Sequence, residues 1–577
     1  MRSYFPAYAI INLTMNAHLK LSATAKAKAQ NFIEHEKQFQ LGFLPTEQSN
    51  PITSTLEDDF KRSTLAGLQC LQRADWQIPI ATRHVFAGAA YAQLVEAMTT
   101  VLSAPSGRLI FSGCGATGRL AIILESLWRD FFHRRAAELT TEEQRLANRA
   151  ASIMTGGDFA LIKAVESFED SSRGGERQAA ALRVGKGDVF IAITEGGETS
   201  SVLGTLNYAV EHGATCFLIF NNPAELLRQR LDRCRAAIDN PKITVIDLYC
   251  GAMGLAGSTR MQATTSEQLV CLCALETTLC RVLPRFAKES TSDFAAAFES
   301  TLTALETAEA RQAIADAIDF ECALYRKAGK VTYFANTCML DLFTDTTERS
   351  PTFMLPPFRA INDANALESW AFVKNPLYPT AACWNALLHR DLRCLEWQTA
   401  EYAEAGMPPI PNGVPPKIGR EDLLNYLIGN EDMPSRYEGE NSAAVTVRVC
   451  QGDNNFEEAA EKTARKFNIQ RQLTIVPVAA SPLEIWKHLA VKLTFNNLST
   501  GTMAAFGRVS GNWMSWVSIS NKKLIDRGIR LVAELGGLTY QEAAEQLFAA
   551  EEWINAQDWT QRERACAVQV ALGKYKI

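Results

Sequence analysis

Between residues 108 and 250 short apolar runs alternate with helical patterns, each run closed by a turn of glycines or hydroxyl residues. The runs Leu109–Ser112, Ser152–Met154, Asp188–Ile193, Cys216–Asn221 and Ile243–Leu248 predict five strands. Strands apolar on both faces and separated by helices predict a parallel, doubly wound α/β sheet. A second series follows, with strands predicted at Val331–Ala335, Val445–Cys450 and Leu473–Val478 and long helices from Pro482 to Ala550. Two such series in one chain predict a duplication, two similar lobes whose sequences have drifted apart. Ala23 to Phe43, rich in helix formers, predicts an N-terminal helical arm. Helical runs cover Leu56 to Ser103, broken near Trp76-Gln-Ile-Pro79, and connecting helices fill 281–328. The expected division is an arm at 1–45, a first lobe at 46–290 and a second lobe with C-terminal helices at 291–577.

Ligands on such sheets bind outside the carboxyl ends of the strands, so the loops there matter most. The first is Gly113-Cys-Gly-Ala-Thr-Gly118, a tight turn into a helix. It aims backbone N–H groups and a helix start at one spot, which suits an anion. Its G-x-G-x-x-G spacing also fits a dinucleotide fold, which wants a second strand ending in an acidic residue about 20 positions on. Here Leu120 to Arg134 reads as helix throughout, and the next strand ends in Thr155-Gly-Gly157. Thr117, a hydroxyl inside the loop beside Gly115 and Gly118, favours a compact phosphate ester, while glycines that merely turn a corner remain the bland alternative.

After the third strand comes Thr194-Glu-Gly-Gly-Glu-Thr-Ser-Ser201, with Thr194, Thr199 and Ser200 as candidate phosphate ligands. After the fifth comes Gly257-Ser-Thr-Arg-Met261, where Ser258 and Thr259 can donate to phosphate and Arg260 can add charge. Each loop alone could be an ordinary helix cap; three at one sheet edge favour a ligand. The second lobe has Asn336-Thr-Cys-Met-Leu340 and Gln451-Gly-Asp-Asn-Asn455 instead, and Asp453 opposes a dianion, so one ligand site per chain is expected.

Length and composition bound the rest. A chain of 577 residues exceeds one core and allows roughly three to four ordinary domains or two large ones. The net charge of −6 is spread without long like-charge runs, which points to neither nucleic acid nor an anionic membrane as partner. The fourteen cysteines form no C-x-x-C and the seven histidines no ligand pair, so free thiols in a reducing compartment are expected, with no metal and no cofactor. Asn12, Asn16 and His18 interrupt any signal core, and no run reaches the roughly 18 apolar residues of a membrane span. A cytoplasmic protein is expected.

Taken together, Thr46-Glu-Gln-Ser-Asn-Pro51, Gly113–Ala121, Gly156-Gly157 with Glu166-Ser-Phe-Glu-Asp-Ser171, Gly257–Met261, Asn497-Leu-Ser-Thr-Gly501, Gly507-Arg-Val and Asn521-Lys-Lys-Leu524 resemble the sugar isomerase (SIS) domain superfamily. The resemblance is to the branch that holds N-acetylmuramic acid 6-phosphate etherases and glucokinase regulatory proteins. It implies two SIS-type, flavodoxin-like lobes and a phosphorylated sugar as ligand. Two lobes in one chain, an internal pseudo-dimer, are similar to the regulatory branch, whose partner is a sugar kinase; the etherases carry one lobe per chain.

In the etherases, the resemblance implies, one glutamate abstracts the sugar C2 proton and another protonates the departing lactyl ether oxygen, work that needs separated carboxyl pKa values. Glu169 matches the first, within Glu166-Ser-Phe-Glu-Asp170. The first lobe lacks the segment of the second, Glu125 standing two positions early; the second lobe has it as Glu348-Arg-Ser-Pro-Thr-Phe353. Lys492 matches a lysine that, in the regulatory branch, reaches the sugar phosphate. Against catalysis, Glu195-Gly196 stands where the etherases have Ala-Ser, Glu198 replaces an arginine, Gln262 a lysine and Met253 a glutamate. For Glu169 and Glu348 the bland alternative is a solvated helix-end carboxylate. The expected function is binding of a hexose 6-phosphate or N-acetylmuramic acid 6-phosphate at one inter-lobe site by a regulatory protein of carbohydrate metabolism. The alternative is an etherase, a carbon–oxygen lyase releasing D-lactate; an aldose–ketose isomerase lacks a positioned histidine.

Overall fold

The first sheet has five parallel strands, β1 (Leu109–Gly113), β2 (Ala150–Met154), β3 (Val189–Ile193), β4 (Thr215–Phe220) and β5 (Ile243–Asp247), in the order β2-β1-β3-β4-β5. Register runs evenly from Leu109 opposite Ala150 to Gly113 opposite Met154, and from Leu109 opposite Val189. β1 to β3 are buried at every residue, as strands covered by helices on both faces must be. The second sheet repeats the order with one strand fewer: β6 (Lys330–Phe334), β7 (Ala371–Lys374), β8 (Ser442–Val449) and β9 (Ile469–Ile475) lie as β7-β6-β8-β9, all parallel. Both sheets thus have the doubly wound, flavodoxin-like connectivity expected, with a switch point beside the first strand of each.

This computed structural model describes residues 19, 21–165, 168–407, 414–449, 453–559 and 562–575. Residues 1–18 and 20 of the opening stretch, Glu166 and Ser167, and Cys450-Gln451-Gly452 lie outside the described residues. Backbone contacts separate Phe43–Met514, which holds both sheets, from a second unit made of Met1–Gly42 and Ser515–Ile577. In that second unit the arm helix runs Ala23–His35, opened by Ser22 accepting from the Ala25 N–H, and packs on the helix Tyr540–Asn555. It is shorter than the composition of 23–43 predicts, because the chain breaks at Glu36 into a short 3-10 turn, Lys37–Phe39.

Two strands depart from expectation. β7 is only four residues long, Ala-Phe-Val-Lys, too brief to register as a periodic run. β9 begins earlier than Leu473, because its first half is polar and exposed (Gln470, Arg471, Gln472), while Val476 and Val478, which lengthen the apolar run in sequence, lie outside the strand at 71% and 40% exposure. The sheet-bearing unit is organised around two almost wholly buried helices, Gln262–Val282 and Ile485–Phe506. The latter, buried on nearly every side although it carries Lys492, Asn496 and Asn497, packs on Gln262–Val282, Ala308–Arg326 and Met339–Phe353. Among the described residues no single helix is long and apolar enough to cross a membrane, and every described cysteine is free.

Candidate functional site

The loops after β1 and β3 flank the switch point of the first sheet. Gly113 has no room for a side chain, since a Cβ there would lie 2.3 Å from the Thr117 carbonyl oxygen. Gly115, at φ +56°, has nothing within 4 Å of its Cβ position, so the turn faces open space. The helix Gly115–Arg134 starts there, and the first N–H groups of a helix have no intrahelical acceptor. Thr117 closes the turn on itself: its hydroxyl accepts from the Cys114 N–H (3.1 Å) and donates to the Cys114 carbonyl (2.9 Å). Gly118 packs its bare Cα against Met154 of β2.

The other loops tie into this turn. The Thr155 N–H donates to the Gly113 carbonyl (3.0 Å), and the Thr155 and Ser201 hydroxyls are 2.9 Å apart. The Ser201 N–H donates to the Glu169 carbonyl (3.0 Å), which draws half-buried Glu169 to the start of the helix Ser200–Glu211 beside Ser200. Thr194 donates its hydroxyl proton to Thr199 Oγ1 (3.0 Å). Thr46, at the start of the first lobe, donates its N–H to Asn222 Oδ1 (3.2 Å) and accepts from the Asn222 amide on its hydroxyl (3.0 Å). That amide also donates to the Gly196 carbonyl (3.0 Å), so the segment braces the loop after β3.

The loop after β5 meets the second lobe. Ser258 Oγ is buried and bonded to no protein group, while the carbonyl of half-buried Thr259 accepts from the Thr264 N–H (3.0 Å). Lys492, from the Ile485–Phe506 helix, donates its ammonium to the Arg260 carbonyl (3.1 Å). Burial, and then neighbouring Arg260, lower the Lys492 pKa from 10.5 to about 8. The Arg260 guanidinium is taken up within the protein: it is 2% exposed, on Asp345 (2.6 Å), Ser499 (2.9 Å) and Thr500 (3.0 Å). The sequence offers its charge to the ligand; the fold gives it to Asp345, which also holds Arg349 (2.9 Å).

Glu348 reaches the first lobe. Its carboxylate pairs with Arg119, the residue after Gly118, and Arg119 is itself fully buried on the carbonyls of Ala160 and Leu161. Glu125 is a packing hub instead of a second catalytic carboxylate. It accepts from Ser152 (2.6 Å) and pairs with Arg129 (3.0 Å), Arg390 (3.0 Å) and Arg393 (2.9 Å). Burial opposes its charge, but Arg390, Arg393 and Arg129 outweigh it and lower its pKa.

Of the departures from the etherase pattern, Glu198 is neutralised by Arg233 at 2.8 Å, so it adds no net charge to the loop. Glu195 stays in the loop, buried, with its carboxylate accepting from Thr264 (3.3 Å). Burial, then Glu195, hold Glu267 well above the ordinary carboxyl range. Gln262 accepts from the Gly254 N–H (2.6 Å) and donates to Asp75 (2.8 Å), a fully buried acid that sequence reading did not single out and that burial raises to about 7. Met253 takes the Ala263 N–H on its sulfur (3.4 Å). The structure thus joins Thr194 to Thr199, Glu169 to the start of the Ser200 helix, Lys492 to the Ser258–Thr259 loop, and Glu348 to the helix of the glycine turn.

The glucokinase regulatory protein N-terminal SIS domain matches as a family model over residues 93–210. N-acetylmuramic acid 6-phosphate etherase of Yersinia pestis (strain Pestoides F) is 32% identical over 230 residues, 40% of this chain and 68% of its own length. The enzyme of the same name from Glaesserella parasuis serovar 5 (strain SH0165) is 30% identical over 232 residues, 40% of this chain and 66% of its own. Among solved structures, tagatose-6-phosphate ketose/aldose isomerase from Escherichia coli aligns with 77% of this chain and 94% of its own at 10% identity and a TM-score of 0.38. Most of this chain therefore lies beyond the stretch shared with the etherases, and on that stretch the chain belongs to the SIS-domain family.

Proposed function

We propose that the chain binds a phosphorylated sugar, a hexose 6-phosphate or N-acetylmuramic acid 6-phosphate, at the carboxyl edge of the first sheet. The role we assign is that of a sugar-phosphate-responsive regulatory protein of carbohydrate metabolism. The observation that carries the reading is Lys492: a second-lobe ammonium held in a buried position against the Ser258–Thr259 loop, where burial disfavours its charge until an anion arrives. The glycine turn at Gly115 and Gly118 and the hydroxyls of Thr117, Thr194, Thr199, Ser200, Ser258 and Thr259 supply neutral donors around it. Thr117 would have to turn its proton from the Cys114 carbonyl to the phosphate. A regulatory role fits the Arg119 clamp on Glu348, since an etherase acid needs its carboxyl free to donate a proton. By the resemblance, a sugar kinase is the partner such a protein would address.

Titration calorimetry with hexose 6-phosphates and N-acetylmuramic acid 6-phosphate tests the binding: heat with at least one is expected, and no heat from a folded sample removes the proposal. Incubation with N-acetylmuramic acid 6-phosphate and assay of D-lactate separates regulator from etherase. Lactate that disappears in Glu169→Gln and Glu348→Gln would make the chain a lyase.

A further inference from the structure

The strand-to-helix turns of the two lobes each pass through one left-handed residue, with different chemistry on it. After β1 the chain enters its helix through Gly115 in the left-handed region, with open space at the Cβ position. After β6 it enters the helix Met339–Phe353 through Cys338, at φ +60° and ψ 22°. A side chain in that region is uncommon and strained, and such strain collects at functional turns. The turn lines a cavity of about 750 Å³ bordered also by Asn375, just past β7.

Cys338 has partners. Asp341 Oδ2, one turn along the same helix, lies 2.6 Å from His488 Nδ1, and the thiol, carboxylate and imidazole lie within 4.8 Å of one another. His488 stands in the first turn of the Ile485–Phe506 helix, and the three side chains are 6%, 3% and 6% exposed. Burial disfavours a charge on His488, but Cys338 and Asp341 more than offset it and raise its pKa well above the ordinary value. Burial pushes the Cys338 thiol pKa up and neighbouring His488 opposes that rise; thiol, imidazole and carboxylate together have the composition of a nucleophile whose base is oriented by a third group. Around one zinc ion with bonds of about 2 Å, the carboxylate oxygen and ring nitrogen would stand about 3.3 Å apart; at 2.6 Å they are hydrogen-bonded directly.

We propose that Cys338, His488 and Asp341 form a nucleophilic thiol site in the second lobe, which takes a small hydroxylated carbonyl compound as a reversible covalent adduct. The Cys338 Sγ–carbon bond forms as the C=O π pair moves onto oxygen. That oxygen receives a proton from His488, which takes the thiol proton in exchange, so the addition needs no oxidant, reductant or leaving group. The charges facing the site cancel locally. Arg134 pairs with Asp130 on the Gly115–Arg134 helix, and Lys487 pairs with Glu484 at 3.0 Å beside His488. His389 stands on Asp130 at 3.2 Å, with the His133 ring 5.0 Å from its own. A neutral ligand suits that balance, with Asn336 and Asn375 on the cavity wall. Asn375 donates to Asn336 (3.0 Å) and accepts from the Leu377 N–H (2.9 Å), Asn336 donates to Asp453 (3.4 Å), and the second proton of each amide is the one offered to a hydroxyl.

The test is alkylation of the whole chain by iodoacetamide between pH 6 and 10, with the rate at each cysteine read by peptide mass spectrometry. Cys338 is expected to react at least tenfold faster than Cys383, whose thiol burial pushes to about 12 with no imidazole beside it. D-glyceraldehyde should slow labelling of Cys338 alone. His488→Gln should slow it at least tenfold and move its half-point upward, and Asp341→Asn should do so by less. Equal rates at Cys338 and Cys383 in the unmodified protein would overturn the proposal without relying on any variant's folding. So would stoichiometric zinc that must be chelated before Cys338 reacts, which would make these residues metal ligands, or a glyceraldehyde effect shared by all cysteines.

Discussion

Replacing Lys492 with methionine should separate stability from function. The fall of the Lys492 pKa from 10.5 to about 8 corresponds to about 3 kcal/mol of destabilisation at pH 7, at about 1.4 kcal/mol for each tenfold change in proton affinity. Below pH 8 the ammonium is charged in both folded and unfolded chains and the destabilisation is constant. Between pH 8 and 10.5 the folded chain releases the proton that the unfolded chain keeps, so stability rises with pH across that window and the effect is gone above it. Lys492→Met leaves an unbranched apolar chain one atom shorter and removes the buried charge. It should hold or raise stability at pH 7 by on the order of 1–3 kcal/mol once the lost Arg260 contact is set against the gain, and should flatten the rise between pH 8 and 10.5. Sugar-phosphate affinity should fall by about 10–100-fold, the loss of one charge-assisted contact to phosphate. Because a bound dianion would restore the proton to Lys492, affinity of the unmodified chain should itself drop about tenfold between pH 7 and 9. Urea unfolding from pH 6 to 11, run beside calorimetry at pH 7 and 9, measures all three. A variant that loses more than about 2 kcal/mol at pH 7 while binding as before would refute the reasoning and make Lys492 a structural residue.

Ser258→Ala removes a buried hydroxyl that no protein group answers, so the thermal midpoint should hold or rise while sugar-phosphate affinity falls by about fivefold to tenfold. Glu195→Gln removes a carboxylate from the loop after β3 and should tighten dianion binding by on the order of 1 kcal/mol, read in the same calorimeter. Asp75 is raised from 3.8 to about 7, so folding takes up its proton in that window and stability falls as pH rises through it. Asp75→Asn should abolish that fall and gain a few kcal/mol at pH 8 in urea melts. Glu125→Gln leaves Arg390 and Arg393 without their shared carboxylate and should cost about 3–5 kcal/mol at neutral pH, an effect that vanishes if the network is replaced by water.

Much of the fold was legible because burial on both faces leaves a nearly uninterrupted apolar run, as in β1 to β4, while β5, half-buried at Thr244, Val245 and Asp247, still showed in its Ile243, Val245 and Ile246. β7 did not, since four residues give no period, and β9 was displaced because an exposed edge strand carries its polar residues where a buried one carries apolar ones. The glycine turn and hydroxyl loops were legible for a related reason: their chemistry is written in consecutive residues. What escaped are pairings between distant segments. Arg390 meets Glu125 across 265 residues and His488 meets Asp341 across 147, and no local pattern links either pair. Arg260 was misjudged on the same account, because a free-looking guanidinium in a loop gives no sign of an aspartate on another helix that will claim it.

The arginines at 390 and 393 have one more consequence. They follow β7 in the chain, yet their guanidinium groups are anchored on Glu125 and, for Arg390, on Asp158 at 2.6 Å, both beside the first sheet. A gene cut between the halves would strand two acids in one fragment and two bases in the other, so neither piece should be expected to mature alone. Melting of residues 43–514 should accordingly appear as a single calorimetric peak, and co-expressed halves should rescue each other where separate ones precipitate.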